Sequence, residues 1–133
     1  MLFTYKRTVY LADTDAAGVV YFAQVLVMCH EAYEASLITA GINLRSLVSN
    51  LSIALPIVHS TVDFFSPMFC GDQLLIALNS QQLSDTEFEI AYQIVAVSSS
   101  QKCLAKAITR HVCINPSSRK RTQLPENITQ WLN

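Results

Sequence analysis

The sequence predicts an α+β domain in which one long, mostly apolar helix is wrapped by a largely antiparallel sheet. Three observations carry that reading. From about Val20 to Ala40 the chain has no Gly or Pro, and it is polar only at Gln24, His30, Glu31, Glu34, Ser36 and Thr39. A period-two segment precedes this stretch. Four strand candidates follow it, separated by short turns, and strands grouped after a helix favour an α+β arrangement over alternating βαβ units.

The first element runs from Phe3 to Leu11, with Phe3, Tyr5, Val9 and Leu11 on one side and Thr4, Lys6 and Thr8 on the other. That alternation is a half-buried strand, interrupted on its apolar face by Arg7. The small, acidic run from Ala12 to Gly18 cannot continue an apolar strand and holds residues that favour turns and helix starts, so it reads as a loop feeding the helix. Gly41 is placed to end that helix in the left-handed conformation. A helix with so little polar surface should be buried around most of its circumference, which a surrounding sheet achieves. A short helical connection is expected from Leu44 to Val48. Strands are expected at Pro56–Ser66, Gln73–Leu83, Thr86–Val97 and Lys102–Asn115, the third showing Phe88, Ile90, Tyr92 and Ile94 against Glu87, Glu89 and Gln93. The tail from Pro116 to Asn133 closes with a helical turn over Pro125–Leu132.

The whole chain, 1–133, is read as one domain, since 133 residues with 51% hydrophobic content bury a single core and no repeat or linker is visible. Nine basic against ten acidic residues give a formal charge of -1, so the overall balance does not favour nucleic acid, and an anionic ligand needs a local site. A charged fraction of only 14% leaves apolar surface to be covered by further copies, which predicts a homo-oligomer. The longest nearly apolar run, Val19 to Cys29, is too short to span a bilayer. Cys29, Cys70, Cys103 and Cys113 lack CxxC spacing, and no signal peptide is visible. They read as buried thiols in a reducing cytoplasm. His30, His59 and His111 show no ligand spacing, so no metal is expected.

Asp15 is the first candidate for chemistry. At a junction between a strand and a helix start, a carboxylate is held by backbone amides and the helix dipole, and from there it can attack a carbonyl or deprotonate water. Plain helix capping is the alternative. Amides from Val19 to Phe22 would polarise a developing oxyanion, and Gly18 would let backbone approach a ligand closely. His59 shares a strand face with Thr61 and Asp63 and is a candidate contact for an acyl group, or a surface histidine. His30 and Glu34 are one turn apart, and Gln24 and Glu31 share a helix face, which suits an ion pair, a polar pocket lining or a subunit contact. Arg119, Lys120 and Arg121, with Lys106 and Arg110, are candidates for holding phosphates, or are simply solvated. Gly-rich phosphate loops, a GxSxG elbow and a Cys-His motif are missing from the sequence.

The stretch Asp13-Thr14-Asp15-Ala16-Ala17-Gly18-Val19-Val20-Tyr21-Phe22 closely resembles the signature of the 4-hydroxybenzoyl-CoA thioesterase group of hot-dog proteins. Leu55-Pro56-Ile57-Val58 and Asp63-Phe64-Phe65-Ser66-Pro67, through Gly71-Asp72, extend the likeness over nearly the whole chain. The resemblance implies a hot-dog fold, a long central helix wrapped by a five- to six-stranded sheet, in dimers with active sites between subunits and often in dimers of dimers. It implies that Asp15 is the catalytic carboxylate and that the Phe22 amide polarises a thioester carbonyl. It also implies that the small-molecule partner is an acyl-CoA, with coenzyme A part of substrate and product and no separate cofactor.

A related bacterial subgroup, which acts on short aliphatic and acyl carrier protein thioesters, has Tyr and His where this chain has Leu11 and Phe22. The apolar, aromatic lining that remains suits a flat aromatic acyl group. Within the family the likeness is strongest to members that act on a naphthoyl thioester in phylloquinone and menaquinone biosynthesis. A broader acyl-CoA or acyl carrier protein thioesterase, and a hot-dog protein that binds acyl-CoA without cleaving it, are the alternatives.

Overall fold

A computed structural model describes all 133 residues apart from the side chains of Ser100 and Gln101. The chain forms β1 (Leu2–Thr8), a 3-10 turn (Leu11–Asp13), α1 (Phe22–Thr39), α2 (Leu44–Ser49), β2 (Ile57–Phe64), β3 (Gln73–Ser84), β4 (Glu87–Ala96), β5 (Ser99–Val112) and α3 (Glu126–Leu132). The five strands make one sheet in the order β1-β3-β4-β5-β2, every neighbouring pair antiparallel. This is the hot-dog architecture, with α1 laid across the concave face.

Alternation decides which side chains meet the helix. Leu74, Ile76 and Leu78 of β3, and Phe88, Ile90, Tyr92 and Ile94 of β4, are buried against Val25, Met28, Cys29, Ala32, Tyr33 and Leu37 of α1 in one core. The helix ends as a Schellman motif at Gly41, whose φ is +86°. Ile42 N–H donates to Leu37 O at 3.0 Å and Gly41 N–H to Ile38 O at 2.9 Å, satisfying carbonyls that the helix leaves open. An aromatic group joins four elements: Tyr33 of α1, Phe88 of β4, His111 of β5 and Trp131 of α3 have neighbouring ring centroids 4.6 to 6.4 Å apart. Trp131 Nε1 donates to Ser36 Oγ at 3.1 Å, docking α3 on the helix. Trp131→Phe keeps most of the packing and loses this bond, so chemical denaturation should report a loss of about 1 kcal/mol.

Several boundaries differ from the sequence reading. The first strand stops at Thr8, and Leu11, 77% exposed, opens the 3-10 turn and does not join the apolar face. The helix begins at Phe22, two residues later than expected, because the Val20 and Tyr21 amides donate to Met68 O and Asp13 O. β5 starts at Ser99, leaving only Val97 and Ser98 in the β4–β5 turn. α1 is not buried all round: Phe22, Val27, His30 and Ile38 are exposed, because the sheet covers one side of the helix only. Cys70 is exposed and Cys103 half-buried, so only Cys29 and Cys113 behave as buried thiols.

Candidate active site

Asp15 does not cap a helix. It opens a hairpin turn seven residues before α1: Gly18 N–H donates to Asp15 O at 3.0 Å and Asp15 N–H to Val19 O at 2.9 Å, with Thr14 paired to Val20 beyond them. Gly18 has φ +80°, the left-handed position that such a turn requires and that a side chain would strain. The carboxylate folds back on its own turn, Asp15 Oδ1 accepting the Ala17 N–H at 2.9 Å. Oδ2 has no partner among the described residues. The hydrogen bond that aims this carboxylate therefore comes from the turn's own amide and not from an amide of α1.

The hairpin leads directly into the helix. Tyr21 N–H is taken by Asp13 O at 2.9 Å, while the next amide, that of Phe22, has no acceptor among the described residues. It is one of the unpaired donors that every helix start carries. Asp15, Tyr21 and Phe22 line one concavity of about 410 Å³ with Val19, Val20 and Val25 on one side and Phe64 to Met68 on the other. Tyr21, Phe22, Phe64 and Phe65 are each about half exposed, so the open carboxylate and the open amide share an aromatic-walled pocket. A larger cavity of about 470 Å³ between α2 and α3 is lined by no titratable side chain and offers no acid-base chemistry.

The other Asp of the motif has the opposite environment. Asp13 is 4% exposed and accepts from the Tyr10 amide at 2.8 Å, from Gln24 Nε2 at 2.9 Å, and from both terminal nitrogens of Arg7. Burial alone would raise its carboxyl, but the Arg7, Tyr10 and Gln24 hydrogen bonds outweigh burial and hold it below the usual carboxylate range. Arg7 also grips Glu31 on α1, Nε to Oε1 and Nη2 to Oε2 both at 3.0 Å, with Tyr5 OH adding a bond at 3.3 Å. The Glu31 bond, with Asp13 adding to it and against the effect of burial, raises the Arg7 guanidinium. Arg7 interrupting an apolar strand face, and Gln24 and Glu31 sharing a helix face, were the sequence signals for this network; Asp13 gave none.

The remaining candidates lie elsewhere. His59 is exposed on the sheet face turned away from α1, opposite Arg110 in register, whose guanidinium meets Glu89 at 3.0 Å and Glu87 at 3.7 Å. Arg121 bonds Glu87 at 3.2 Å and pairs with Ile114 just beyond β5, whereas the Asp15 pocket meets β5 at Leu104. Ten residues of extended chain separate those points, about 33 Å, so Arg119, Lys120 and Arg121 do not share a site with Asp15 inside one protomer. His30 Nδ1 and Glu34 Oε2 form the expected pair at 2.9 Å, exposed on the open side of α1. Among the described residues no cluster of His, Cys, Asp or Glu has metal-binding geometry, and no helix is long and apolar enough to cross a membrane.

Comparison with known proteins gives this geometry a family. Residues 9–132 match the model of the thioesterase-like superfamily. The 1,4-dihydroxy-2-naphthoyl-CoA hydrolase of Gloeothece citriformis is 59% identical over 128 residues, 96% of this chain and 90% of that protein. The protein of the same description from Crocosphaera subtropica is 55% identical over 129 residues, covering 97% and 94%. A crystal structure of a 1,4-dihydroxy-2-naphthoyl-CoA thioesterase from Synechocystis superposes with a TM-score of 0.96 at 47% identity, over 99% of this chain and 96% of the other.

Proposed function

Because this chain belongs to the thioesterase-like superfamily, we propose that it hydrolyses 1,4-dihydroxy-2-naphthoyl-CoA to 1,4-dihydroxy-2-naphthoate and coenzyme A, a step toward phylloquinone. The observation that carries the reading is the pairing of an accessible carboxylate with an unpaired helix amide in one aromatic-walled pocket. The substrate rests on the likeness to hydrolases of that description and on an apolar lining suited to a fused aromatic ring.

In this mechanism the acyl group lies against Phe22, Phe64 and Phe65, and its carbonyl oxygen takes the Phe22 N–H as negative charge develops on it. Asp15 either attacks the carbonyl carbon, expelling the coenzyme A thiolate and forming an anhydride that a water then hydrolyses to free the acid and the carboxylate, or removes a proton from a water that attacks the carbonyl and expels the thiolate directly. Gly18 keeps the hairpin tight enough to hold the carboxylate beside that carbonyl. The protein works as a cytoplasmic homo-oligomer, a dimer or dimer of dimers. The open edge of β2, with exposed Ile57, Val58, Phe64 and Phe65, and the open side of α1 are the surfaces that association would cover. His59 and the Arg119–Arg121 cations enter this reading only as contributions from a neighbouring protomer.

Initial rates of thiol release from the naphthoyl ester, beside benzoyl, phenylacetyl and short aliphatic CoA esters, test it. The expected result is a kcat/KM for the naphthoyl ester at least about tenfold above the others, since a lost ring is worth about 1.4 kcal/mol or more in an apolar pocket. Equal rates on all esters would leave a broad thioesterase. Saturable binding without thiol release would leave a binding protein.

A further inference from the structure

We infer that Arg7 is a positioning residue for thioester hydrolysis: by clamping Asp13 to Glu31 it fixes the spacing between the Asp15 carboxylate and the Phe22 amide. The inference rests on Asp15 being the catalytic carboxylate.

Arg7 is the next-to-last residue of β1, paired with Leu74 of β3, and its side chain is 9% exposed. A guanidinium has five N–H donors, and here all are committed. Nε and Nη2 hold the two oxygens of Glu31, Nη1 and Nη2 hold the two of Asp13, and the second hydrogen of Nη1 goes to Thr8 O at 3.1 Å. None is left for a substrate, so any effect on the reaction is exerted through the two carboxylates.

Those carboxylates sit on the two pieces of chain that bear the reacting groups. Asp13 lies two residues before Asp15. Its carbonyl takes the Tyr21 N–H at 2.9 Å, and inside that bond the hairpin is closed by the Thr14–Val20 bridge and the Asp15 N–H to Val19 O bond. A displacement of Asp13 therefore moves Asp15 with it. Glu31 lies on α1, the rigid element that begins at Phe22. Gln24, also on α1, reaches back to Asp13 at 2.9 Å, so one strand residue registers hairpin against helix through both of its anions. Stability by itself does not call for such a cluster, since apolar residues of the same volume often replace a buried charge triad without loss. What the bidentate fork adds is fixed geometry.

The test uses the full-length protein, thiol release from 1,4-dihydroxy-2-naphthoyl-CoA, and three variants: Arg7→Lys, Glu31→Gln and Asp15→Asn. Lys keeps the charge and loses the fork. Glu31→Gln disturbs only the partly exposed arm and is the milder change to the fold. With folding checked by circular dichroism at the assay temperature, kcat should fall about 10- to 100-fold in Arg7→Lys, as a misplacement near 1 Å does, with KM within about threefold. In Glu31→Gln the fall should be about three- to tenfold at an almost unchanged Tm. A merely structural role would lower Tm and leave kcat per folded molecule intact. That result in Glu31→Gln, or in folded Arg7→Lys, with Asp15→Asn inactive, would overturn the inference. An active Asp15→Asn would overturn the assignment of Asp15, and this inference with it. Should Arg7→Lys not fold, Glu31→Gln decides alone.

Discussion

Asp15→Asn should abolish most turnover while leaving the fold in place. The carboxylate is exposed, and its one bond, from Ala17 N–H to Oδ1, is equally available to an amide oxygen, so the hairpin has no reason to open. A surface change of this kind moves stability by no more than about 0.5 kcal/mol. The free oxygen is different. Whether it attacks the thioester or takes a proton from water, the chemistry needs an electron pair that an amide does not offer, and removing such a group costs on the order of 10²- to 10⁴-fold in rate. The apolar walls at Phe22, Phe64 and Phe65 are untouched, so substrate affinity should stay close to that of the wild type. Steady-state kinetics beside a binding titration would show kcat collapsing and Kd holding. Near-normal kcat in the Asn variant would remove Asp15 from the reaction.

The fold was open to reading because its signals are local. Phe88, Ile90, Tyr92 and Ile94 alternate with Glu87, Glu89, Ala91 and Gln93, and that period places them on one face of β4 without further information. Gly41 marked the end of α1 for an equally local reason, its left-handed backbone. The turn signature around Asp15 was visible, but its mechanics were not. Sequence adjacency suggested a helix cap, whereas the hairpin closes on itself through hydrogen bonds among residues 13 to 21, and the helix waits until Phe22.

Long-range placement was the part that could not be read. Nothing local distinguishes Asp13, buried under Arg7, from Asp15, exposed two residues later. The Arg119–Arg121 cations look like phosphate ligands until β5 places them at the opposite end of the sheet from Asp15. His59 shares a face with Thr61 and Asp63, as alternation requires, but that this is the outer face follows from its pairing with Arg110 of β5, a long-range contact that the strand's own pattern does not announce.

Burial of His111 couples stability to pH, and stability should fall by about 3 kcal/mol as the pH drops from about 6.5 to about 4. Its ring is 1% exposed, stacked 4.6 Å from Phe88 at an interplanar angle of 9° and 4.9 Å from Tyr33. Nε2 pairs with Thr109 Oγ1 at 2.9 Å, Thr109 meets Tyr92 OH at 3.2 Å, and Nδ1 has no partner among the described residues. No carboxylate is bonded to the ring to stabilise an imidazolium. Burial, with the nearby His30 charge adding to it, therefore pushes the group down from 6.5 to about 4. Above pH 6.5 the ring is neutral in folded and unfolded chains alike, and the full stability is present. Between the two values the unfolded chain binds a proton that the folded chain refuses, so acid favours unfolding, and the loss levels off once the folded ring is itself protonated. Asp13 acts in a lower window: its carboxyl is depressed from 3.8, so its contribution is intact above that value and fades only below it. Urea midpoints at fixed protein concentration between pH 7 and 4.5 would follow the His111 window alone among these two, and His111→Leu, which cannot titrate, should flatten the slope. A wild-type midpoint that does not move over that range would mean that the ring is not held neutral between Phe88 and Tyr33, and that the aromatic group joining α1 to the sheet is looser than the packing described above.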